Sequence, residues 1–486
     1  MATPLPPELI KHVISYLDPN SLAPYASINR QWQALVENHT FNTLKVNTSR
    51  LADLQIIVRS RRCLAVRKIN LTVTLPEYSV EERLQVETDK DRQRNNEAYT
   101  QTICTLFTIL SSWPDECNID LTIRNVSPSD WTEDPNRRLR RMRALRNPGK
   151  DILWWRYMAS YVEILRAVEE IPIVHAISDL DIRREKERNT APATVSKLIS
   201  RLPRLSSVVA DISDNERKDA VLRDSLRHEF AISLPQWPAS ASLKCLDLTY
   251  PGEAPRDADY PPPKRSKPGA DALSIALRQI STRLESIDLQ GLAIGPELFW
   301  PQRDDDSDDV PTWPNLTRFY LEYAAATPSG EWLFERDPRC PEYEFDRDSS
   351  NLRFSPPMDD APQDEFPDDY RTVPSPLLNR MYTAAALAAQ RMRRLNRMHL
   401  VGQVQGGLNG VLQHGIMQCQ MKHEFVYDRK EGQLGWVGST PFPVSDETRD
   451  AWVKFVEMNS YDGSKLTLEV GYCVLVPFPF YMQTEN

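Results

Sequence analysis

A short apolar pattern, L-x-x-L-x-L with other apolar residues at some positions, recurs along much of the chain. It is clearest in SLKCLDLTY, RLESIDLQG, NLTRFYLEY and RLNRMHLVG. Weaker copies begin at Val66, Val174 and Leu205. The alternating end of each copy predicts a short strand with one buried face. One such unit cannot cover its own apolar side, so neighbouring copies must stack against each other. This requirement constrains the fold more than any other feature of the sequence.

Helical segments lie between several of these strands. Residues 94–113 and 152–171 both carry apolar side chains at helical spacing, and residues 270–281 and 379–395 form shorter or Ala-rich versions. Alternating helices and strands of this type predict an α/β fold, specifically an irregular solenoid that resembles leucine-rich repeats. Regular repeats recur every 20–29 residues or so, whereas the stronger copies here are 32 to 79 residues apart. A generic α/β domain with Leu-rich parallel strands remains the alternative.

Composition predicts where the solenoid is interrupted. We assign residues 46–334 to the solenoid, with loop insertions at about 251–270 and 301–312. Residues 335–376 carry 12 acidic and 5 basic side chains, are rich in Pro and show no periodicity, so we predict a disordered acidic insertion. Residues 377–486 contain a helix, paired strands and a second helix, and are predicted to cap the end of the solenoid.

The N-terminal stretch LPPELIKHVISYLDPNSLAPYASINRQW predicts about three short helices that share an apolar side. Asp18-Pro19-Asn20 ends the first helix, because Pro disfavours helical geometry in the residue before it. Pro24 is tolerable only in the first turn of the second helix. A module of roughly 40 residues or fewer seldom buries enough surface to be stable alone. Either the chain's own core or another protein must therefore cover part of its apolar side.

This stretch resembles an F-box in the order of its motifs: Leu-Pro, ELIKHVISYLD, SL and ASINRQW. It is also similar to a group of filamentous-fungal F-box proteins. The resemblance covers about the first 45 residues and implies docking on a Skp-type adaptor, which joins the chain to a cullin–RING ubiquitin ligase. The residues implied to contact the adaptor are Leu5, Pro6, Leu9, Ile10, Val13, Leu17, Leu22 and Ile28. The residues implied to pack inside the module are Ile14, Tyr25, Trp32 and Leu35. Pro24 departs from the family pattern, which often has an aliphatic residue there.

The sequence offers little sign of catalytic chemistry. It contains no Gly-rich phosphate loop, no HExxH, no GxSxG and no paired cysteine site, so we predict a non-enzyme without a cofactor or metal. His414, Cys419 and His423 lie close in sequence but lack a fourth ligand. An enzyme hidden around His414 and His423 remains the alternative. We interpret the run DDDSDD as a solvated acidic loop and the Arg-rich residues 137–146 as a solvated helix face.

Charge and cysteine usage limit the classes of partner. The net charge of −9 and the pI near 5.5 argue against a general nucleic-acid-binding protein. Seven cysteines without a CxxC motif predict reduced thiols, and hence a protein of the cytoplasm or nucleus. The longest apolar stretch, GYCVLVPFPFYM, is too short to cross a bilayer, so no membrane association is predicted.

Together these features predict a substrate-recognition subunit of a Skp–cullin–F-box ligase, in which the solenoid binds an unknown target protein. An adaptor-bound scaffold that delivers no substrate is the alternative. Outward-facing strand positions are the candidates for target contact: Lys244, Asp247, Glu285, Asp288, Arg318 and Tyr320.

Overall fold

The computed structural model describes residues 5–18, 21–79, 82, 86–130, 160–182, 188–213, 220–238, 242–251, 261–301, 310–336, 370–403, 405–406, 423–438, 440–459 and 467–472. The chain forms two compact units. The first unit comprises residues 1–142, 150–213 and 236–248, and the second comprises residues 143–149, 214–235 and 249–486. Both units contain helices and β-sheets, and the second unit has both parallel and antiparallel strand pairs.

The first unit begins with short helices and continues into alternating strands and helices. Its helices are α1 (Pro7–Ser15), α2 (Arg30–Thr40), α3 (Leu51–Ile57), α4 (Asp89–Leu110) and α5 (Pro192–Ser200). Its strands are β1 (Thr43–Asn47), β2 (Lys68–Thr74), β3 (Ile119–Val126), β4 (Tyr161–Val162), β5 (Ile177–Ile182), β6 (Asn189–Thr190), β7 (Ser207–Asp211) and β8 (Cys245–Thr249).

The main sheet of the first unit takes its strands in chain order, β1-β2-β3-β5-β7-β8. The pairs from β1 to β7 are parallel. Ile69, Leu121, Leu180 and Val208 lie opposite one another on four successive strands and are at most 1% exposed. The apolar positions of the repeated pattern therefore align across the sheet, as stacking of the copies requires.

The second unit has four described helices and nine strands. The helices are α6 (Ala220–Ser233), α7 (Ala272–Ser281), α8 (Leu378–Ala389) and α9 (Asp446–Asn459). The strands are β9 (Ser286–Leu292), β10 (Arg318–Tyr323), β11 (Phe334–Arg336), β12 (Tyr370–Pro374), β13 (Arg397–Gly402), β14 (Gln405–Gly406), β15 (His423–Asp428), β16 (Gln433–Gly438) and β17 (Thr467–Tyr472).

The main sheet of the second unit has the order β9-β10-β13-β15-β16-β17. Strands β9, β10 and β13 pair in parallel, β15 is antiparallel to β13 and β16, and β17 is parallel to β16. Leu289, Leu321, Leu400 and Phe425 align across four strands and are buried. The change to an antiparallel pair at β15 matches the paired strands predicted for residues 377–486.

The structure forms a strand at each of the seven predicted copies, as β2, β5, β7, β8, β9, β10 and β13. The parallel α/β character of the prediction is therefore confirmed, and the solenoid itself stays a prediction. The helix predicted for residues 152–171 is wrong over most of its described part, because Tyr161 and Val162 form β4 and only Val168–Glu170 form a short 3-10 helix. Trp154 and Met158 lie outside the described residues.

Tertiary hydrogen bonds explain why residues 163–165 are not helical. The amide of Glu163 donates to Asn96 Oδ1, that of Ile164 to Thr194 Oγ1 and that of Leu165 to Thr100 Oγ1. Side chains of α4 and α5 thus satisfy amides that a helix would satisfy internally. Helical periodicity alone cannot predict that these side chains replace the hydrogen bonds of a helix.

The predicted acidic insertion is narrower than its sequence suggests. Its ends form β11 and β12, which pair antiparallel, so residues 370–374 belong to a small sheet. Residues 337–369 lie outside the described part of the chain. Within the predicted loop 251–270, the amides of Arg265 and Ser266 both donate to the carbonyl of Pro328, so this portion of the loop is fixed to the second unit.

A buried ion cluster connects loops of the first unit. Arg188 donates through Nη1 to Glu87 Oε1 at 2.7 Å, and through Nε and Nη2 to the two carboxylate oxygens of Asp130 at 3.3 and 3.4 Å. The three side chains are each at most 4% exposed. Ser160 Oγ and the hydroxyl of Tyr78 add further hydrogen bonds to Arg188 and Asp130. The cluster holds four separate segments together away from solvent.

None of the helices in the described part of the chain is long and apolar enough to cross a membrane.

Candidate functional site

Helix α1 is apolar on two different faces. Ile10 and Ile14 are 1% and 4% exposed, while Leu9 and Val13 are 51% and 42% exposed. Positions four residues apart share one face of a helix. The apolar residues of α1 therefore form two stripes, one turned inward and one turned to solvent.

The inward stripe of α1 belongs to a small core formed by the N-terminal helices. This core consists of Ile10, Ile14, Leu22 and Val36, with Leu17, Tyr25, Ala26, Trp32 and Leu35 packed against it. Tyr25 stacks on Trp32 with their ring centroids 6.1 Å apart. The four side chains assigned to internal packing, Ile14, Tyr25, Trp32 and Leu35, all lie here.

Two side chains assigned to the adaptor contact are not accessible. Ile10 and Leu22 are each 1% exposed and fill the core of the module. Their assignment is corrected, because a residue that holds the three helices together cannot also be offered to a partner without unfolding them. Leu17 is half-buried against the same core.

The middle helix of the module is short and begins with Pro24 in its first turn. Residues Ala23–Ser27 form a 3-10 helix with Pro24 in its first turn, where a missing amide N–H leaves no helical hydrogen bond unmade. Asn29 then adopts an extended conformation and starts α2. Its Oδ1 accepts hydrogen bonds from the amides of Gln31 and Trp32, at 2.9 and 3.0 Å. This cap sets where Trp32 enters the core.

Loss of this cap is expected to loosen the start of α2. Asn29→Ala removes the acceptor for two amides, which should cost about 1 kcal/mol of local stability, or about a fivefold higher opening constant. Hydrogen exchange of the Gln31 and Trp32 amides would then be faster by that factor. Asn29→Asp keeps the acceptor and should exchange at close to the wild-type rate. Equal exchange in the Ala and Asp variants would contradict a capping role.

The outward side of the module forms an apolar surface, which we call the docking surface. It includes Leu5, Leu9, Val13 and Ile28, each between 42% and 54% exposed, and the exposed Pro6. The sequence assignment missed Tyr16, which is 77% exposed and lies one turn beyond Val13. Its i+7 spacing from Leu9 is the signal that could have identified it. The docking surface is what a partner would cover.

The module is attached to the rest of the first unit through α2. Arg62 donates to Glu37 Oε1 at 2.8 Å and its guanidinium lies 5.2 Å from the ring centre of Phe41. The hydrogen bond from Arg62 is the main reason that the pKa of Glu37 is below its usual value. The carbonyl of Asn42 accepts from the amides of Arg67 and Lys68, immediately before β1 pairs with β2. The end of the module is therefore also the start of the sheet.

Of the target-contact candidates, Lys244 and Glu285 directly precede β8 and β9, and the other four lie within strands. Lys244, Glu285 and Arg318 are exposed, whereas Asp247, Asp288 and Tyr320 are half-buried. Of the motifs considered for other chemistry, the Asp run 304–309, the Arg-rich residues 137–146, His414 and Cys419 lie outside the described residues. Among the residues that are described, no group of three or more His, Cys, Asp or Glu side chains is arranged to hold a metal ion.

His423 is part of an aromatic core. Its Nε2 is 2.9 Å from the hydroxyl of Tyr382, which is 3.0 Å from the hydroxyl of Tyr323. Phe334 and Phe442 contact its ring edge to face, with centroids 5.8 and 5.4 Å away. Burial disfavours the charged imidazolium and lowers the pKa of His423 to about 3. His423 is therefore packed inside the core of the second unit.

The buried His423 is expected to make the second unit acid-sensitive. The folded-state pKa of His423 is about 3, below the ordinary value of 6.5. Between these two pH values His423 is protonated in the unfolded chain and neutral in the folded chain. The stabilisation is complete above pH 6.5 and declines as the pH falls toward 3. Between about pH 7 and pH 4.5 the loss should be about 2–3 kcal/mol.

Denaturant unfolding of the wild type and of His423→Gln at both pH values would measure this loss. The variant should lose about 2–3 kcal/mol less than the wild type on acidification, because Gln does not titrate. The difference between the two proteins excludes the contribution of carboxylates common to both. Parallel pH dependences would contradict the assignment.

Comparison with known proteins identifies the N-terminal module. A family model of the F-box domain matches residues 4–44. This range contains α1, the 3-10 helix, α2 and the whole docking surface. No curated protein matches the chain at the similarity we required.

Proposed function

We propose, from the premise that the chain is an F-box protein, that it is the substrate-recognition subunit of a Skp–cullin–F-box ubiquitin ligase. The observation that carries this proposal is the F-box match over residues 4–44, together with the exposed apolar side chains of that module. F-box domains typically bind Skp-type adaptors. The docking surface supplies the apolar area that such contact needs.

Burial of the docking surface offers a usable binding energy. Five large apolar side chains are between 42% and 77% exposed. Full burial of one such side chain contributes about 1.5–3 kcal/mol, so the roughly half-exposed set contributes several kcal/mol before association costs. The inward side chains of the module are already packed in its own core. Its shape therefore fits a role as half of an interface.

We infer that the two α/β units serve target recognition, and that their stacked copies form a leucine-rich-repeat-like solenoid. The chain-order succession of parallel strands from β1 to β7 supports this inference, because stacked repeats place consecutive units side by side. The chain would hold a target close to the ubiquitin-charged enzyme and accelerate transfer by proximity, without a catalytic side chain of its own. We place this activity in the cytoplasm or nucleus.

The experiment that tests this proposal is affinity purification of the full chain under proteasome inhibition. We expect the Skp-type adaptor, a cullin and a ubiquitinated third protein in the purified complex. Recovery of the adaptor without a cullin would favour the alternative of an adaptor-bound scaffold. Failure to recover the adaptor would overturn the proposal.

A further inference from the structure

The main sheet of the second unit has one face packed against helices. Tyr382 of α8 and Trp452 of α9 contact Phe425, and Phe455 of α9 contacts Tyr427. Successive side chains of a strand point to opposite faces of the sheet. The alternating positions therefore lie on the other face, where Val426 is buried and most of the other side chains are half-buried. This face carries Asp288, Tyr320, Glu322, His399, Val401 and Glu424.

An aromatic platform lies in the middle of this face. Tyr320 is opposite Asp288 on β9 and His399 on β13. The rings of Tyr320 and His399 meet edge to face with centroids 5.3 Å apart. His399 Nε2 is 3.1 Å from Glu424 Oε2, which fixes the orientation of the imidazole ring. The platform is thus built from three adjacent strands and positioned by a fourth.

Two carboxylates flank Val401 of β13, which lies two residues after His399 on the same face of the sheet. Val401 of β13 lies opposite Glu322 on β10 and opposite Glu424 on β15. Strands in a sheet are about 4.8 Å apart, so these two carboxylates are attached on either side of a small apolar floor. Glu322 accepts a hydrogen bond from the neutral amide of Gln403 at 2.8 Å. An ionised carboxylate has about four lone-pair positions, so Glu322 retains capacity for another donor.

Negative charge outweighs positive charge around Tyr320. Burial raises the pKa of its phenol, and Glu322, Asp288 and Glu424 raise it further, whereas Arg318 alone opposes them. The guanidinium of Arg318 is 3.5 Å from Asp288, at the amino-terminal end of the strands. The potential over the platform is therefore negative on the side of Glu322 and Glu424. A cation at this place is attracted by both carboxylates and by the face of an aromatic ring.

We propose that this face, around Tyr320, Glu322, Val401 and Glu424, binds an Arg or Lys side chain of the target protein. The alkyl stem of such a side chain lies over Val401, and its charged head reaches the two carboxylates. The partner is thus a basic segment, chosen by charge complementarity with an acidic and aromatic sheet face. This inference rests on the proposed role in target recognition and not on the contact with the adaptor.

The test uses the full chain and a fluorescein-labelled Gly–Ser peptide that contains several Arg residues, with a citrulline peptide as the uncharged match. Fluorescence anisotropy at low salt should detect binding of the Arg peptide and not of the citrulline peptide. Glu322→Gln with Glu424→Gln should weaken binding by about tenfold. Tyr320→Ala should weaken it by about threefold, whereas Tyr320→Phe keeps the ring and should not.

The matched control is Glu431→Gln with Glu457→Gln, which removes the same charge from two exposed positions elsewhere in the second unit. This control should bind the peptide like the wild type. Equal weakening in both double variants would show attraction to net charge alone and overturn the proposal, as would absence of binding by the wild type. Adaptor pull-down with the same variants separates the two ideas. Adaptor binding by these variants should be unchanged, because the substitutions lie outside the F-box. A failed peptide test therefore leaves the ligase proposal intact.

Discussion

A chain carrying Leu9→Asp and Val13→Asp is expected to lose at least about 100-fold in affinity for the Skp-type adaptor. Both side chains lie on the outward stripe of α1, at 51% and 42% exposure, and neither contributes to the module's core. In the complex each aspartate would lose its water without gaining a partner. The removed apolar burial and the added desolvation cost together reach several kcal/mol. Pull-down and isothermal titration with purified adaptor measure the effect.

The accessible positions make this variant more informative than one that includes Ile10. Ile10→Asp would place a carboxylate in the core and abolish binding by unfolding the module. Leu9→Asp with Val13→Asp should unfold at the wild-type temperature, since exposed substitutions usually change stability by about 0.5 kcal/mol or less.

The matched control is Val221→Asp with Ile232→Asp, which makes the same chemical change at positions 80% and 55% exposed on α6. It should bind the adaptor normally. Undiminished adaptor binding by the α1 variant would remove the docking surface from the interface. Equal loss in the control would show that the assay responds to added charge.

The F-box shows how far the sequence predicts a site. Motif order was enough to identify the module, and the four residues assigned to internal packing lie in or against its core. It did not separate the two stripes of α1, because Leu9 and Ile10 are adjacent and equally apolar. Which side of α1 is covered depends on where the 3-10 helix and α2 lie against it. Leu22 illustrates the same limit, since it was assigned to the surface and lies in the core.

The strands were predictable because their burial is periodic, and the exceptions have physical causes. Strand β3 was missed because Asn118 occupies the first apolar position that the pattern requires before Leu121 and Ile123. Strand β4 was mistaken for a helix because the residues it pairs with, Asn189 and Thr190 of β6, lie far away in sequence. Local patterns report which face a residue prefers. They miss β3 because of one polar residue, and they miss β4 because its partner strand is distant in sequence.

The buried ion cluster was the hardest feature to predict. Arg188 follows the charged stretch REKE, which suggests a solvated loop. Its partners Glu87 and Asp130 are 101 and 58 residues away in the chain. The burial of these charges depends on three loops meeting at one point, and no local pattern encodes that meeting.

Replacement of Arg188 by Met is expected to destabilise the first unit by about 3–5 kcal/mol. The substitution leaves Glu87 and Asp130 buried without their cation, and Met cannot satisfy their oxygens. Domains have a free energy of unfolding of only about 5–15 kcal/mol, so a large part of the stability would be lost. Denaturant unfolding measures the change. A second substitution, Glu87→Gln, should restore part of the loss because it neutralises one of the stranded carboxylates.

A matched control separates burial from pairing as the cause. Lys68 and Asp120 form an ion pair at 2.7 Å on the same unit, but their side chains are 41% and 38% exposed. Lys68→Met should therefore cost less than about 1 kcal/mol, because water solvates the remaining carboxylate. If Arg188→Met and Lys68→Met had equal small effects, the cluster would not hold the loops together. A large effect only at Arg188 would show that the loops at Glu87, Asp130 and Ser160 depend on one buried guanidinium.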